Sequence, residues 1–581
     1  MALATLLLPA AALTLSAALS WGADLAGVAV GRHIVAAAAW LALAVLAGAW
    51  LAGGRGLVEF APAITTAVAP LRLRMDAVVV LFQVAVLVPA ALLLTFQRRS
   101  SREAAIAGLA AAAALLCLEG GSLLWTAIGL GVCISLVLIH LHREEPRGSG
   151  PFWGVQTIAW LLLVWTAVLL DAAGGTSVYG AIPVTALRLP AFAVLTAAAV
   201  LCSGVLPWRS WVSEAWTRRR LEAATLAIAL LVPIGFYLLV RAYGMGAGQW
   251  PASQANVVVA AIGAAAAGGA AIRAQAATTR RGFLAEAVPL TSGMALLAVG
   301  LGTPLGLVAA LTGVLSLAVV AGLAPLVPAD RGPVALLAIA VPAGVPPTVV
   351  FGSWLLSVHA AIEAGTVQAF LGLAAVAAWL LGLAAAARAV RLPDVSADAG
   401  LDGSRVGSLA TSAAAVAAGV GLTLVVAWLA IPAAAEVMPP APVQGQGAGG
   451  VSPAAILGAG SLGVSTASGG WSSALLAGPL VLLALAAVAA AHVLRWRAAR
   501  ASISEASLPP PVVELEPPPA PLFTPPLALV PARAATWLKA LRLPAQYRSL
   551  FRPELMEAAV ARSRPWLWVA ATVVLTIAVT R

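Results

Sequence analysis

Lysine, cysteine and charge are all scarce in this sequence. Only 9% of the 581 residues are charged, and Lys539 is the sole lysine. The three cysteines, Cys117, Cys133 and Cys202, lie in apolar runs without metal-ligand spacing, which excludes a disulfide framework and a zinc site. The chain has no cysteine cluster for iron and sulfur, no glycine-rich nucleotide fingerprint and no haem ligand pair. We therefore expect no metal, no cofactor and no redox centre of its own.

Long apolar runs are abundant instead. Hydrophobic residues make up 62% of the chain, and the mean hydropathy is +1.00. Because a membrane-spanning helix needs about 20 apolar residues, the sequence predicts an all-α integral membrane protein with about sixteen transmembrane helices. The predicted spans are 2–20, 33–52, 76–96, 103–118, 119–141, 153–173, 189–208, 221–243, 254–273, 283–302, 303–327, 333–360, 364–388, 407–434, 472–494 and 565–580.

The net charge of +11 comes from arginines at the ends of the apolar runs. That distribution follows the positive-inside rule, so it does not indicate a nucleic-acid partner. The arginine-rich loops are the odd-numbered ones, which predicts that they are cytoplasmic and that both termini are external. The partner that composition predicts is the lipid bilayer.

Two predicted spans contain helix-breaking residues. A proline inside a span frees a backbone carbonyl, which lipid tolerates only where the carbonyl faces protein or a water-filled cavity. Paired interruptions in two halves of a membrane protein indicate inverted repeats around an ion path. The alternative is that Gly and Pro are simply frequent in transmembrane helices. The residues concerned are Ser203, Gly204 and Pro207 in one span and Gly344, Pro346 and Pro347 in the other.

These breaks predict a division of the chain into segments. Two five-helix repeats of inverted orientation occupy the centre, flanked by additional spans and by a Pro-rich connector that is either a set of interfacial helices or an ordinary tether. A Gly- and Ser-rich external loop is expected at 439–470. The predicted segments are 1–100 (N-terminal spans), 101–243 and 254–390 (repeats), 391–496 (additional spans), 497–564 (connector) and 565–581 (last span).

Several short motifs, in a consistent order, resemble one family. The sequence resembles the antiporter-like membrane subunits of respiratory complex I, which have relatives in membrane-bound hydrogenases and Mrp-type antiporters. The resemblance covers about residues 70–390. The motifs are LRLRMD at 71–76, EGGSL at 119–123, SGVLPWRSW at 203–211, GFYLLVR at 235–241, TRRGFLA at 279–285 and GVPP at 344–347 with FGS at 351–353.

The sequence departs from this family at its basic residues. Positions where the family carries a membrane-embedded lysine or histidine are occupied by Cys202, Ala227 and Trp354, and the polar pair at the start of the tenth span appears as Thr279 and Arg281. A buried lysine can change its charge near neutral pH, whereas arginine stays protonated. A lysine relay therefore cannot exist in this chain.

Glu119 is the strongest remaining candidate for proton exchange. An intramembrane carboxylate is costly and usually marks an ion path, and the family's corresponding glutamate is functional. The alternative is that Glu119 is solvated in the Gly120–Gly121 turn. Weaker candidates, for which local ion pairs or interfacial contacts are the alternative, are Glu286, His359, Arg281 and Glu214.

The resemblance implies a membrane subunit of a complex-I-like or hydrogenase-type redox complex in the bacterial inner membrane. Such a subunit is not catalytic by itself. It would bind other membrane subunits and redox subunits, and would be involved in proton translocation. A structural subunit that has lost pumping and an Mrp-like carrier working with a soluble partner remain alternatives.

Overall fold

The computed structural model describes residues 2–28, 30–52, 57–61, 72–96, 100–144, 150–205, 211–212, 222–245, 253–323, 339–345, 348–390, 392, 419, 422, 429–437, 463–466 and 469–472. Helices dominate these residues. Pro9, Pro89, Pro233 and Pro289 lie inside helices, as lipid-embedded helices permit when neighbours satisfy the freed carbonyls.

Thirteen α-helices account for most of the described chain. They are α1 (Ala2–Leu25), α2 (Gly31–Ala52), α3 (Ala77–Phe96), α4 (Ser101–Glu119), α5 (Leu123–Glu144), α6 (Gly150–Gly174), α7 (Leu189–Cys202), α8 (Glu222–Met245), α9 (Ser253–Ala276), α10 (Arg280–Gly300), α11 (Pro304–Leu323), α12 (Val349–Ala364) and α13 (Thr366–Ala389).

Within the described ranges, eleven helices are long and apolar enough to cross a membrane. Two shorter apolar helices, α7 and α12, occur where the sequence predicts breaks. The first thirteen predicted spans correspond to α1–α13, which confirms an all-α membrane protein. Span 565–580 and connector 497–564 lie outside the described residues, and of span 472–494 only Ser472 is described, at the end of a strand. Within 407–434 only 419, 422 and 429–434 are described, all helical.

Burial separates a central layer of helices from peripheral ones. α3, α8 and α11 are buried along most of their length. α1, α2 and α13 instead expose large apolar side chains such as Leu15, Trp40 and Phe370, as expected for surfaces that face lipid or other membrane subunits. α9 and α10 pack closely, because Gly263 has no Cβ to collide with the Leu297 backbone.

Two short antiparallel pairings interrupt the helical pattern. β1 (Val58–Phe60) pairs with β2 (Leu73–Met75) just before α3. β3 (Gly463–Thr466) pairs with β4 (Gly469–Ser472), and Trp471 lies opposite Val464. This second hairpin begins inside the loop predicted at 439–470, so that segment is not wholly irregular. The β1–β2 pair covers the turn after α4 through a bridge from Leu73 to Gly120.

Candidate functional site

Glu119 is the last residue of α4 and is completely buried. Gln83 of α3 donates a hydrogen bond from Nε2 to Glu119 Oε1 over 2.7 Å. Backbone bonds hold the following turn, in which Gly121 N–H donates to the Arg72 carbonyl and Tyr179 N–H donates to the Gly121 carbonyl. The turn is therefore closed over the carboxyl group, and the alternative of a solvated Glu119 does not hold.

Asp76 forms a buried ion pair at the start of α3. Its side chain is 1% exposed and lies 2.6 Å from Arg74 Nε and 2.8 Å from Arg241 Nη2. The Val79 N–H also donates to Asp76 Oδ1 over 2.8 Å, so Asp76 caps α3 as well. Burial by itself would raise the pKa of Asp76, but Arg241 and Arg74 outweigh it and lower the pKa to about 2. The group is therefore a carboxylate at neutral pH.

Glu436, in the helical segment 429–437, extends this ion pair. Its carboxylate accepts hydrogen bonds from Arg74 Nη2 and from the Ala77 N–H, each over 2.9 Å. Burial raises the pKa of Glu436, and the neighbouring Asp76 charge adds to the increase. Arg74, Asp76, Arg241 and Glu436 are called the Asp76 cluster below.

Two tyrosines connect the Asp76 cluster to the end of α4. The Arg241 guanidinium lies 5.0 Å from the Tyr237 ring centroid and 5.5 Å from that of Tyr179, distances at which cations are attracted to aromatic faces. The Tyr237 hydroxyl donates to the Leu118 carbonyl over 2.7 Å. The Tyr179 hydroxyl lies 3.1 Å from Thr126 Oγ1, and burial raises the pKa of Tyr179. One layer of polar groups thus runs from Asp76 to the residue before Glu119.

Sequence reasoning did not assign a role to Gln83, Arg241 or Tyr237. Arg241 was detectable in principle, because an arginine inside an apolar span requires a partner. Its partner, Asp76, is 165 residues away. No local pattern indicates that pairing.

At both predicted helix breaks, side chains fill the space beside a glycine. α7 ends at Cys202 with Ser203 as its C-cap, and Gly204 follows with φ of +65°. Gly344 has φ of +68° in the turn before α12. A side chain added at Gly204 would meet Val212 and Trp211, and one added at Gly344 would meet Trp354. Pro207, Pro346 and Pro347 lie outside the described residues.

The three positions that resemble the family's basic sites are packed against apolar side chains or backbone. The Cys202 thiol donates to the Leu231 carbonyl over 3.3 Å. Ala227 is 1% exposed within α8, and Trp354 is fully buried. The Trp354 ring lies 6.1 Å from that of Trp379 in an edge-on arrangement. These residues supply no basic group at the three positions.

The weaker candidates lie apart from Glu119. The Arg273 Nε of α9 donates to Glu286 of α10 over 3.0 Å, and His359 is 3.2 Å from Glu363 on the same helix. Arg281 lies in the first turn of α10. Glu214 is outside the described residues.

Glu119 and Glu286 are at opposite ends of the helix layer. The Tyr237 contact with Leu118 places the end of α4 beside the C-terminal half of α8. The Tyr243 contact with Asn256 places the start of α9 at the same end of α8. α10 begins where α9 ends. The structure therefore does not bring these candidates into one site.

Among the described residues, no group of three or more His, Cys, Asp and Glu side chains could hold a metal ion. No protein-family model matches the sequence. No curated protein matches it either.

Solved structures of membrane complexes are similar in fold. A chain of the Mrp complex from Dietzia sp. has a TM-score of 0.61 and 19% identity, covering 74% of this chain and 98% of its own. A chain of the archaeal membrane-bound sulfane sulfur reductase, a respiratory membrane complex, has a TM-score of 0.66 and 16% identity, covering 100% of both. A chain of Thermus thermophilus respiratory complex I with bound NADH has a TM-score of 0.61 and 19% identity, covering 75% of this chain and 98% of its own. The chain therefore has the fold of the membrane subunits that its sequence motifs resemble.

Proposed function

We propose that this chain is a membrane subunit of a multisubunit, complex-I-like assembly and that it is involved in proton translocation. The observation that carries the proposal is the fold shared with chains of three membrane complexes over 74% to 100% of this chain. Electron transfer, where the assembly performs it, belongs to other subunits. The partners are these redox subunits, neighbouring membrane subunits and the lipid bilayer.

Glu119 is the proposed proton-exchanging group. It is buried, it is ionisable, and it adjoins the layer of polar groups that ends at the Asp76 cluster. Glu286, Arg281, His359 and Glu214 are further candidates for a path at the other end of the helices. We also propose that 101–243 and 254–390 are inverted repeats, which the two similar helix breaks support.

A structural subunit without proton transfer is the second candidate function. The packing of Cys202, Ala227 and Trp354 favours it, because a proton needs ionisable groups or water to cross the centre of a bilayer. An Mrp-like carrier that works with a soluble partner is also compatible with the fold of the Dietzia chain. In each case the proposed location is the bacterial inner membrane with both termini external, as the arginine distribution supports.

The test is proton flux in proteoliposomes that contain the purified native complex. Glu119→Gln is expected to abolish flux through this subunit while redox activity persists. Glu103→Gln is the matched control, because Glu103 is on the same helix but only half-buried at its first turn, and glutamine also completes a capping box. Unchanged flux in Glu119→Gln would exclude Glu119 from the mechanism and favour the structural function.

A further inference from the structure

The pair formed by Gln83 and Glu119 leaves two buried acceptors without a donor. Glu119 Oε1 accepts from Gln83 Nε2 over 2.7 Å. Among the described residues, neither Glu119 Oε2 nor Gln83 Oε1 has a hydrogen-bond partner, although both atoms are inaccessible to solvent. Buried polar atoms in folded proteins are almost always paired. Two orphaned oxygens on two side chains that already touch therefore need a common explanation.

The charged groups around Glu119 do not provide a counter-ion. Asp76 at the start of α3 is paired with Arg74 and Arg241. Tyr237 of α8 donates to the Leu118 carbonyl, and Tyr179 lies at hydrogen-bond distance from Thr126 of α5. Arg72 contributes its backbone carbonyl to the turn after α4.

Within the described part of the chain, Glu119 forms no ion pair. A buried carboxylate without a cation is costly, and such a group binds a proton instead. A protonated carboxyl group has one O–H donor. A hydrogen atom on Glu119 Oε2 therefore accounts for both orphaned oxygens. It makes Oε2 a donor, and Gln83 Oε1 can accept from it.

The geometry points to a neutral carboxylic acid–amide pair between Glu119 and Gln83. In this pair Gln83 Nε2 donates to Glu119 Oε1, and the protonated Glu119 Oε2 donates to Gln83 Oε1. Gln83 is then a positioning residue, which holds the proton-bearing oxygen of Glu119 in one direction. This inference deepens the proposed function, since Glu119 is the proposed site of proton exchange.

The pair has a consequence for how Glu119 releases its proton. Once ionised, Glu119 keeps the hydrogen bond from Gln83 Nε2 and loses the one to Gln83 Oε1. The amide therefore binds both forms, and its Oε1 accepts a hydrogen bond only from the protonated one. The Oε1 atom of Gln83 is therefore free to accept from another donor each time that Glu119 loses its proton.

Infrared spectroscopy of the native complex at neutral pH tests the pair directly. A carbonyl stretching band of a protonated carboxyl group is expected in the wild type and absent in Glu119→Gln. In Gln83→Met the band is expected to move to higher frequency, because a carboxyl group without hydrogen bonds has a stiffer C=O bond. Gln156→Met is the matched control, since Gln156 is a fully buried glutamine of α6 and its loss should leave the band in place.

Two results would overturn the pair. The absence of a Glu119 band in the wild type would mean that the carboxyl group is ionised. A band that stays in place in Gln83→Met would mean that the proton is bonded elsewhere. Gln83→Asn, which keeps the amide but shortens the side chain, gives the same information if Gln83→Met does not fold. The band is measured without flux, so it distinguishes failure of the pair from failure of the proposed function.

Discussion

The Asp76 cluster and the two helix breaks solve the same problem in opposite ways. Both lie where a helix begins or ends within a membrane protein, so that backbone groups there lack helical partners. At the Asp76 cluster, two arginines and two carboxylates satisfy one another. At the breaks, tryptophans fill the space beside Gly204 and Gly344. Charged side chains thus fill the Asp76 cluster, whereas uncharged ones fill the space at the breaks.

The largest expected effect on stability comes from placing a charge at one of the helix breaks. Trp354→Lys should cost about 4 kcal/mol or more, because it removes a buried tryptophan and adds an unpaired cation. Thermal unfolding of the detergent-solubilised protein measures the loss. Trp354→Phe is the control and should cost less, since it keeps an apolar ring. A stable Trp354→Lys variant with increased proton flux would show instead that the break is hydrated.

Arg241→Met is the opposite change, because it removes a charge from the Asp76 cluster. We expect a loss of about 3 kcal/mol, since breaking a buried ion pair leaves Asp76 with Arg74 as its remaining charged partner. The measurement is again thermal unfolding. The double variant Asp76→Asn with Arg241→Met should recover part of the loss, because it removes both charges. A double variant as unstable as the sum of the single ones would contradict the pairing.

The Asp76 cluster should also make stability depend on pH. The pKa of Asp76 falls from its ordinary value of 3.8 to about 2 in the folded protein. Because the folded value is the lower one, the stabilisation is present above about pH 4 and is lost as the pH falls toward 2. Its size is about 2 kcal/mol. Unfolding measured across this window should show the loss in the wild type, and Asp76→Asn should remove this contribution.

The smallest effect is expected from Gly204→Ala. The left-handed backbone at Gly204 costs a substituted residue about 1–2 kcal/mol, and the new methyl group would also contact the Val212 side chain. Gly175→Ala is the matched control, because Gly175 has φ of +71° but no atom near the added methyl group. Equal losses in the two variants would mean that packing at the break contributes nothing.

The sequence was sufficient to predict the helices. Hydropathy identifies thirteen described helices because each is a continuous apolar run, and Gly204 and Gly344 mark where α7 ends and where the turn before α12 forms. The burial of Glu119 was predictable only through its motif. The inverted relation between 101–243 and 254–390 stays a prediction.

The Asp76 cluster could not be predicted from local patterns. Its members come from β2, the residue before α3, α8 and the segment 429–437, so neither helical periodicity nor motif spacing connects them all. The position of Asp76 at the start of a span predicts a helix cap, but a cap explains only its hydrogen bond from the Val79 N–H. Likewise, the sequence shows that Cys202, Ala227 and Trp354 stand where the family carries basic residues. Only the structure shows what these three residues contact instead.

The contact between Arg74 and Glu436 also sets an order of events during synthesis. The two residues are 362 positions apart. At ribosomal rates of about 5–20 residues per second, Glu436 is made roughly 20–70 s after Arg74. Throughout that interval, α3 to α13 are synthesised while the Ala77 amide still lacks its carboxylate acceptor. Closure of this contact is therefore a late step that follows the synthesis of all thirteen helices.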